Sequence, residues 1–346
     1  QRQKRFQKAI PELPRVPVRM LLISHPEFRE TLAPFIKWQN QKGISVFEAY
    51  TNEIGSTAPL IQNFIRNVFY TSTPENPAPT FLVLVGDTEK LPASGIGIDT
   101  KQVTDLYYAS VDGDYFPDMY YARLSARNNQ ELKNQIDKIL FYQQYQFSDP
   151  AFLNDVTLIA GYDHNWSLPI LQPTVTYATQ NHYNAANGFR NVNQYLSNYL
   201  GSYSDSSISV SFINYTGHCL PTAWSDPSLA VANIYQMTNT GRYPLAIGNC
   251  CQSALFSHPE SLAEAWMRVP ERGAVAYIGS APDTHWFEDF YWSVGAFPII
   301  GNNAGYVPSR AETTMGAYDA AFELDHIPVA AIKVAGNLAI TQANIM

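Results

Sequence analysis

The clearest sign of the fold is an apolar run that ends in glycine and polar residues, VTLIAGYD at residues 156–163. Such a run is typical of a strand in a parallel sheet, because helices cover both of its faces. The plan recurs, with helical periodicity between the runs, in FLVLVGD at 81–87, PLAIGN at 244–249 and AVAYIGS at 274–280. This alternation predicts an α/β fold in which helices flank open parallel sheets.

Several of the predicted strands end in glycine followed by a polar side chain. Three such ends lead to Asp163, His218 and Cys251. Ligands of open parallel sheets bind outside the carboxyl ends of the strands, and glycine permits tight turns there. One such turn alone is usually an ordinary connection. An acid, a histidine and a cysteine at one sheet edge favour a functional site.

The chain length and a break in the pattern predict two units. A chain of 346 residues is long for one module and suits two. The stretch 147–154 contains the turn residues Ser148, Asp149 and Pro150, and the strand–helix alternation restarts after it. We predict a first α/β subdomain over 1–150 and a second over 151–346 that carries the site.

Composition narrows the classes of function. The chain has 30 acidic and 22 basic side chains and a net charge of −8, whereas a nucleic-acid binder needs a basic face. No apolar run approaches the roughly 18 residues of a membrane helix. Residues 1–6 are polar and basic with no hydrophobic signal core behind them, so we expect a secreted form to be a processed one.

The three cysteines suggest a reactive thiol, since an odd, clustered set cannot make a disulfide framework. A thiolate nucleophile needs a neighbouring base and oxyanion donors. His218 and Cys251 lie 33 positions apart, around a predicted helix at 229–237, which returns the chain to a neighbouring strand end. The amides of Gly217 and Cys251 are candidate oxyanion donors. We expect Cys250 to be buried, and adjacent cysteines suit a zinc site poorly.

Three long segments of the second half carry a family resemblance: NYTGHCLPTAWSDP at 214–227, PLAIGNCCQSALF at 244–256 and GAVAYIGSAPDTHWFEDFYWSVGA at 273–296. They resemble the gingipains, secreted bacterial cysteine peptidases with a caspase-like fold, and most of all the lysine-specific branch. VTDLYYASVDGDYFPDMY at 103–120 and TTMGAYDAAF at 313–322 match too. The resemblance implies two side-by-side subdomains, with the chemistry in the second. It also implies a following immunoglobulin-like domain, which we expect these 346 residues not to include.

The resemblance assigns roles to the residues at the strand ends. Cys251 matches the nucleophile, His218 the general base and acid, and Asp163 the acid that orients the histidine. From the residues alone, Asp163 is equally well explained as a helix cap. Cys219 stands where the family usually has glycine, and we expect it to line the pocket rather than to oxidise with Cys251.

The resemblance also implies a pocket for a basic side chain. Trp286 matches the residue that covers the aliphatic stem, and Asp289 the carboxylate that meets a lysine ammonium. Thr216 and Asn249 match further polar contacts to that head group. Scattered oxygens suit an ammonium, whereas guanidinium prefers a planar bidentate carboxylate. Lysine is therefore favoured over arginine. The alternative is a packed aromatic cluster. Phe287 replaces a family glycine, which predicts a narrower pocket.

A short acidic loop, DGDYFPD at 112–118, is a candidate metal site. The carboxylates of Asp112, Asp114 and Asp118 and the carbonyl of Phe116 have the alternate spacing of oxygen ligands in calcium loops. Three converging carboxylates would otherwise repel one another. The alternative is a solvated acidic turn. The resemblance implies a structural calcium ion here, and no organic cofactor is expected.

These observations predict a secreted endopeptidase that cleaves after lysine through a thioester. Its substrates would be proteins or peptides with a basic residue before the cleaved bond, met outside the bacterial cell or at its surface. One alternative is an arginine-specific peptidase of the same family. The other is a catalytically silent, calcium-stabilised binding protein, which Cys219 and Phe287 would favour.

Overall fold

The computed structural model describes residues 18–96, 103–197, 208–298, 305–324 and 328–345. The polar start of the chain, at 1–6, lies outside the described residues. Two parallel sheets flanked by helices dominate the described part, so the predicted α/β class is confirmed. No helix in these ranges is both long enough and apolar enough to cross a lipid bilayer.

The first sheet has four parallel strands in the spatial order β2-β1-β3-β4. Its strands are β1 (Val18–Ser24), β2 (Ile44–Tyr50), β3 (Phe81–Val85) and β4 (Tyr120–Leu124). The alternating side chains of β1 enter two separate cores, Leu21 and Ile23 on one face and Met20 and Leu22 on the other. Both faces of β1 are therefore buried, which explains why the strand reads as a continuous apolar run.

The second sheet has five parallel strands in the order β9-β8-β7-β5-β6. Its strands are β5 (Asp155–Ala160), β6 (Asn191–Leu196), β7 (Phe212–Thr216), β8 (Leu245–Asn249) and β9 (Ala276–Gly279). Strand β6 pairs with one edge of β5, and the next strand along the chain, β7, pairs with the opposite edge of β5. The strand order thus reverses between β5 and β7, and such a switch point opens a crevice for ligands.

Eight longer helices among the described residues cover these sheets. They are α1 (Arg29–Gln41), α2 (Ala58–Tyr70), α3 (Asn129–Gln143), α4 (Gln172–Asn181), α5 (Leu262–Arg268), α6 (Trp286–Val294), α7 (Ala317–Glu323) and α8 (Val329–Ala343). Single helical turns occur at Thr51–Ile54, Leu106–Ala109 and Val231–Ile234. 3₁₀ turns occur at Pro26–Phe28, Pro150–Asn154, Ala185–Asn187 and Arg310–Glu312, and a π turn at Ser167–Leu171 precedes α4.

Short strands complete the fold, and they correct one prediction. A two-stranded ladder joins Gly95–Ile96 to Val103–Thr104, and a three-stranded antiparallel ribbon joins Cys219–Leu220, Ala223–Trp224 and Leu229–Ala230. The helix predicted at 229–237 was wrong, because Leu229 pairs with Trp224 in this ribbon and only a single helical turn follows. Both side chains are buried, so pairing and burial outweigh the local helical pattern.

The halves of the chain meet through α3 and α5. Arg268 of α5 is buried and donates to the hydroxyl of Ser125, which follows β4, at 3.0 Å. Lys138 of α3 donates to the carbonyls of Trp266 and Arg272 at 3.0 and 2.9 Å. Burial lowers the pKa of Lys138 to about 7. These buried contacts hold the two sheets in a fixed relation.

Candidate active site

Three neighbouring strands bring the predicted nucleophile, base and acid to one edge of the second sheet. Ala160 of β5 and Asn249 of β8 are both in register with Thr216 of β7. His218 follows β7 by two residues and Cys251 follows β8 by two residues, while Asp163 comes three residues after β5. The site therefore lies at the switch point.

Asp163 contacts both His218 and the backbone amides of the turn that follows it. Its Oδ2 lies 2.8 Å from Nε2 of His218. Its Oδ1 accepts the backbone N–H groups of Asn165 and Trp166 at 2.7 and 2.9 Å. Burial alone would raise the pKa of this carboxyl, but the hydrogen bond from His218 and these two amides hold it below its usual value. A fixed carboxylate therefore orients the imidazole through its Nε2 atom.

The backbone around His218 is held by the buried side chain of Tyr215. The Tyr215 hydroxyl donates to the carbonyl oxygen of His218 at 2.9 Å. Gly217 has φ of +158°, and a Cβ there would lie 2.7 Å from that hydroxyl. Glycine is therefore required at this turn, which brings the histidine into the crevice beside the indole of Trp286, at a ring distance of 4.8 Å.

Cys251 is the one free cysteine of the chain, and its sulfur contacts Thr284. The backbone N–H of Thr284 lies 3.4 Å from Sγ, and the Thr284 carbonyl oxygen lies 3.6 Å from it. A thiol donates to the carbonyl, whereas a thiolate accepts from the amide. The backbone of Thr284 therefore offers the sulfur one donor and one acceptor.

The other two cysteines form a disulfide, Cys219–Cys250. The expectation that Cys219 lines the pocket as a free thiol was therefore wrong, as was the inference that so few cysteines form no cross-link. Cys250 is fully buried, as expected. The strands β7 and β8 are neighbours, so the residues just beyond their ends meet although 31 positions separate them in sequence. The bond ties the turn that carries His218 to the turn that carries Cys251.

A small pocket adjoins the sulfur, and we call it the specificity slot. Its lining residues are Gly217, His218, Cys251, Thr284, Trp286 and Asp289. Its volume of about 130 Å³ is below the roughly 300–1,000 Å³ of pockets for drug-sized ligands, so it suits a single side chain. Asp289 stands on the first turn of α6, is 4% exposed and accepts the hydroxyl of Thr284 at 2.9 Å. Burial raises the pKa of this carboxyl to about 7.

The indole of Trp286, which lines the slot, lies in a cluster of aromatic rings. Trp286 stacks on Trp166 at a centroid distance of 6.1 Å, and Phe287 meets Trp166 edge-on at 5.5 Å. Phe287 is 42% exposed and is not among the lining residues, so it does not narrow the slot in the expected way. Sequence reasoning missed Trp166, although it lies only three residues beyond Asp163.

Thr216 and Asn249 are buried beneath the slot rather than in its lining. The side-chain amide of Asn249 donates to the carbonyl of Asp289 and to the hydroxyl of Ser293, both at 2.9 Å. It also lies 3.4 Å from Oγ1 of Thr216. Asn249 thus connects α6 to the sheet edge and holds the backbone of Asp289 in place relative to β8. Thr284, which sequence reasoning missed, lies in the quoted segment 273–296, in the loop after β9.

The acidic loop lies apart from this site and is exposed. Asp112, Asp114 and Asp118 each accept a backbone N–H of their own loop, at 3.1, 2.6 and 2.8 Å. A metal site needs its ligand atoms close together. Within the described part of the chain, oxygens of these three carboxylates do not all lie within 4.8 Å of one another. A cation here would have to draw the remaining carboxylate oxygens and the Phe116 carbonyl together. The donor set still suits calcium, since every donor is an oxygen.

A different cluster, His182, Asp319 and Glu323, does have its potential ligand atoms close together, but an arginine side chain neutralises it. His182 Nε2 lies 2.6 Å from Asp319 Oδ1, with Glu323 nearby. The guanidinium of Arg310 lies 3.4 Å from Asp319 and 2.6 Å from Glu323. The arginine neutralises the two carboxylates, so this group is an ion-pair network.

Comparisons with known proteins identify a family that the chain matches over most of its length. The sequence model of peptidase family C25 matches residues 14–323. Lys-gingipain W83 of Porphyromonas gingivalis is 44% identical over 96% of this chain, and gingipain R2 of the same species is 26% identical over 78%. The chain spans about a fifth of the length of the Lys-gingipain, 19%, and 37% of the gingipain R2.

Solved structures share the fold. A structure described as a protease superposes with a TM-score of 0.90 at 43% identity, over 95% of this chain and 73% of that one. The Arg-specific cysteine proteinase gingipain R superposes with a TM-score of 0.76 at 21% identity, over 96% of this chain and 75% of that one. The second similarity concerns the fold alone. Together they confirm the caspase-like arrangement of parallel sheets and flanking helices.

Proposed function

The chain belongs to peptidase family C25, the gingipain family of cysteine peptidases. We propose that it is an endopeptidase that cleaves the peptide bond after lysine. The observation that carries the proposal is the buried carboxyl of Asp289 in a small slot whose lining also contains the free thiol of Cys251. A buried acid beside a nucleophile selects substrates whose side chain supplies the missing positive charge.

The proposed mechanism follows from the roles of the site residues. His218 takes the proton of Cys251, and Asp163 stabilises the imidazolium that forms. The sulfur attacks the carbonyl carbon, and the amides of Gly217 and Cys251 would stabilise the oxyanion. His218 then protonates the leaving amine, which leaves a thioester on Cys251. Water, deprotonated by His218, hydrolyses the thioester and releases the thiol.

The geometry of Asp289 supports lysine over arginine. The Thr284 hydroxyl already bonds Oδ2, which would leave Oδ1 to pair with the substrate side chain. A compact ammonium pairs well with one oxygen, whereas a guanidinium gains most from both oxygens at once. The higher identity to a Lys-gingipain, 44% against 26% for a gingipain R, favours the same choice.

Matched peptides that differ only in the residue before the cleaved bond test this proposal. We expect kcat/KM for the lysyl peptide to exceed that for the arginyl peptide at least about tenfold, and the asparaginyl peptide to resist cleavage, because it lacks the charge. A greater kcat/KM for the arginyl peptide would establish the arginine-specific alternative. No cleavage of any peptide, and no labelling of Cys251 by a lysine-based thiol-reactive inhibitor, would indicate a silent homologue.

We also propose that the protein acts outside the cytoplasm, at the bacterial surface or in the medium, on proteins and peptides. The Cys219–Cys250 disulfide supports this location, because such bonds form and persist in oxidising compartments.

Calcium binding by the acidic loop is a further proposal. Asp112, Asp114 and Asp118, with the Phe116 carbonyl, would hold the ion, and its role would be to stabilise the first half of the chain. We expect saturating calcium to raise the free energy of unfolding by about 2–3 kcal/mol at a hundredfold excess over Kd, and EGTA to reverse this. Thermal melts with and without EGTA measure it.

The triple variant with Asn at 112, 114 and 118 is the matched control for this experiment, because it keeps the loop length and removes only the charges. It should melt at one temperature whether or not calcium is present. If the native chain also ignores calcium, and calorimetry detects no binding heat, the loop is an ordinary solvated turn.

A further inference from the structure

We propose that Thr284 is a positioning residue that links the nucleophile to the specificity slot, and that its hydroxyl aims Asp289 at the ammonium of the substrate lysine. This inference rests on the proposed function and names a residue that sets its specificity. It follows from the contacts of Thr284 with two groups that act on different parts of the substrate.

One residue contacts both reactive groups. The backbone N–H of Thr284 donates to Sγ of Cys251 at 3.4 Å, and the hydroxyl of the same residue donates to Oδ2 of Asp289 at 2.9 Å. Its Oγ1 lies 3.8 Å from the sulfur. Thr284 therefore holds two groups at a fixed separation: the Asp289 carboxylate, which would bind the substrate side chain, and the Cys251 thiol, which would attack the carbonyl.

The loop that carries Thr284 is itself fixed to the chain just after the nucleophile. Gln252 donates its backbone N–H to the carbonyl of Pro282 at 3.0 Å, and its side-chain amide to Asp283 at 2.9 Å. Ala254 donates its N–H to the carbonyl of Ser280 at 2.9 Å. These three hydrogen bonds join residues 252–254 to residues 280–283. Thr284 therefore keeps its place relative to Cys251 without any bound substrate.

Asp289 needs this hydroxyl more than an exposed acid would. Within the described ranges, the bond from Thr284 is the one hydrogen bond made to its carboxylate oxygens. The titratable groups that share its slot are His218 and Cys251, and Glu288 precedes it on α6. Glu288 disfavours the charged carboxylate, whereas the donated hydroxyl favours it and selects which oxygen faces the substrate.

Two variants separate the hydroxyl from the shape of the side chain. Thr284→Val keeps the branched shape and the backbone N–H but removes the donor, whereas Thr284→Ser keeps the donor. We expect Thr284→Val to raise KM for the lysyl peptide about tenfold and to move the acid limb of its kcat/KM profile to higher pH. We expect Thr284→Ser to stay close to the native values. Alkylation of Cys251 by iodoacetamide should change less than about twofold in both variants, because the amide contact remains.

The outcomes distinguish this inference from the proposed function. An unchanged KM and acid limb in Thr284→Val, or a loss in Thr284→Ser equal to that in Thr284→Val, would overturn the role of the hydroxyl. If the native chain cleaves no lysyl peptide, the proposed function fails and unfolding measurements still test the link. The stability deficit of Thr284→Val should grow as pH rises through 7, and it should lose this pH dependence when Asp289 is also replaced by Asn. A deficit that does not vary with pH overturns the link.

Discussion

Replacing Cys251 by alanine is expected to lower kcat for a lysyl peptide by at least about 10⁴-fold, the scale on which loss of a nucleophile acts. The structure offers no substitute, because the other two sulfurs are joined in the Cys219–Cys250 disulfide. The oxyanion donors and the slot survive the change, so binding and the residual activity that they support are retained. Hydrolysis of a chromogenic lysyl peptide, with kcat and KM determined separately, measures the effect.

Thiol titration provides the control for this variant. The native protein should react with one equivalent of a thiol reagent under non-reducing conditions, and Cys251→Ala with none, since Cys251 is the free cysteine. Circular dichroism should show the same fold for both proteins. Turnover by Cys251→Ala above a hundredth of the native rate would remove this residue from the mechanism.

Replacing Asp289 by asparagine is expected to lower kcat/KM for the lysyl peptide by about 10²–10⁴-fold. The amide keeps the shape of the side chain and leaves the substrate ammonium in a buried slot without its countercharge, which costs about 3–5 kcal/mol. The arginyl peptide should lose kcat/KM as well, whereas alkylation of Cys251 should be unaffected. Glu288→Gln is the matched control, because Glu288 precedes Asp289 on α6 but does not line the slot. Assayed well above pH 7, where the Asp289 carboxyl is ionised in both proteins, it should keep kcat/KM within about twofold.

The same substitution should make the protein more stable at alkaline pH. Burial raises the pKa of Asp289 to about 7 in the folded state, against about 3.9 in an unfolded chain. The folded state therefore binds the extra proton, so its stability is complete below pH 4 and is lost as pH rises through 7. The loss reaches about 4 kcal/mol at most. Asp289→Asn removes this loss, and urea unfolding at pH 5 and pH 8 should show a smaller pH dependence than the native chain.

A related expectation concerns the pH profile of the native protein. Because the carboxylate has to be ionised to attract an ammonium, kcat/KM for the lysyl peptide should rise as pH increases through about 7. If Asp289→Asn leaves both this profile and the lysyl preference intact, another group reads the substrate side chain.

Much of the site was predictable because apolar runs, and the glycine and polar residues that end them, are local features of the sequence. Each apolar run predicted a buried strand, and the polar residue after it predicted a position at the carboxyl-end edge of the sheet. Asp163 and His218 do meet, at 2.8 Å, because β5 and β7 are hydrogen-bonded neighbours. The helix predicted at 229–237 was wrong for the opposite reason, since pairing with Trp224 is a contact that no local pattern reveals.

The sequence by itself determined the α/β class, the family resemblance and the residue types at the sheet edge, because apolar periodicity and turn glycines act over a few neighbouring positions. Only the tertiary structure decided that Cys219 bonds Cys250, that Asn249 supports α6 from below and that Thr284 contacts both Cys251 and Asp289. The Cys219–Cys250 and Thr284–Cys251 contacts join residues more than 30 positions apart. The bonds of Asn249 and Thr284 to α6 depend on how that helix packs on the sheet. Such contacts form only when neighbouring strands and the helix that covers them bring distant turns together.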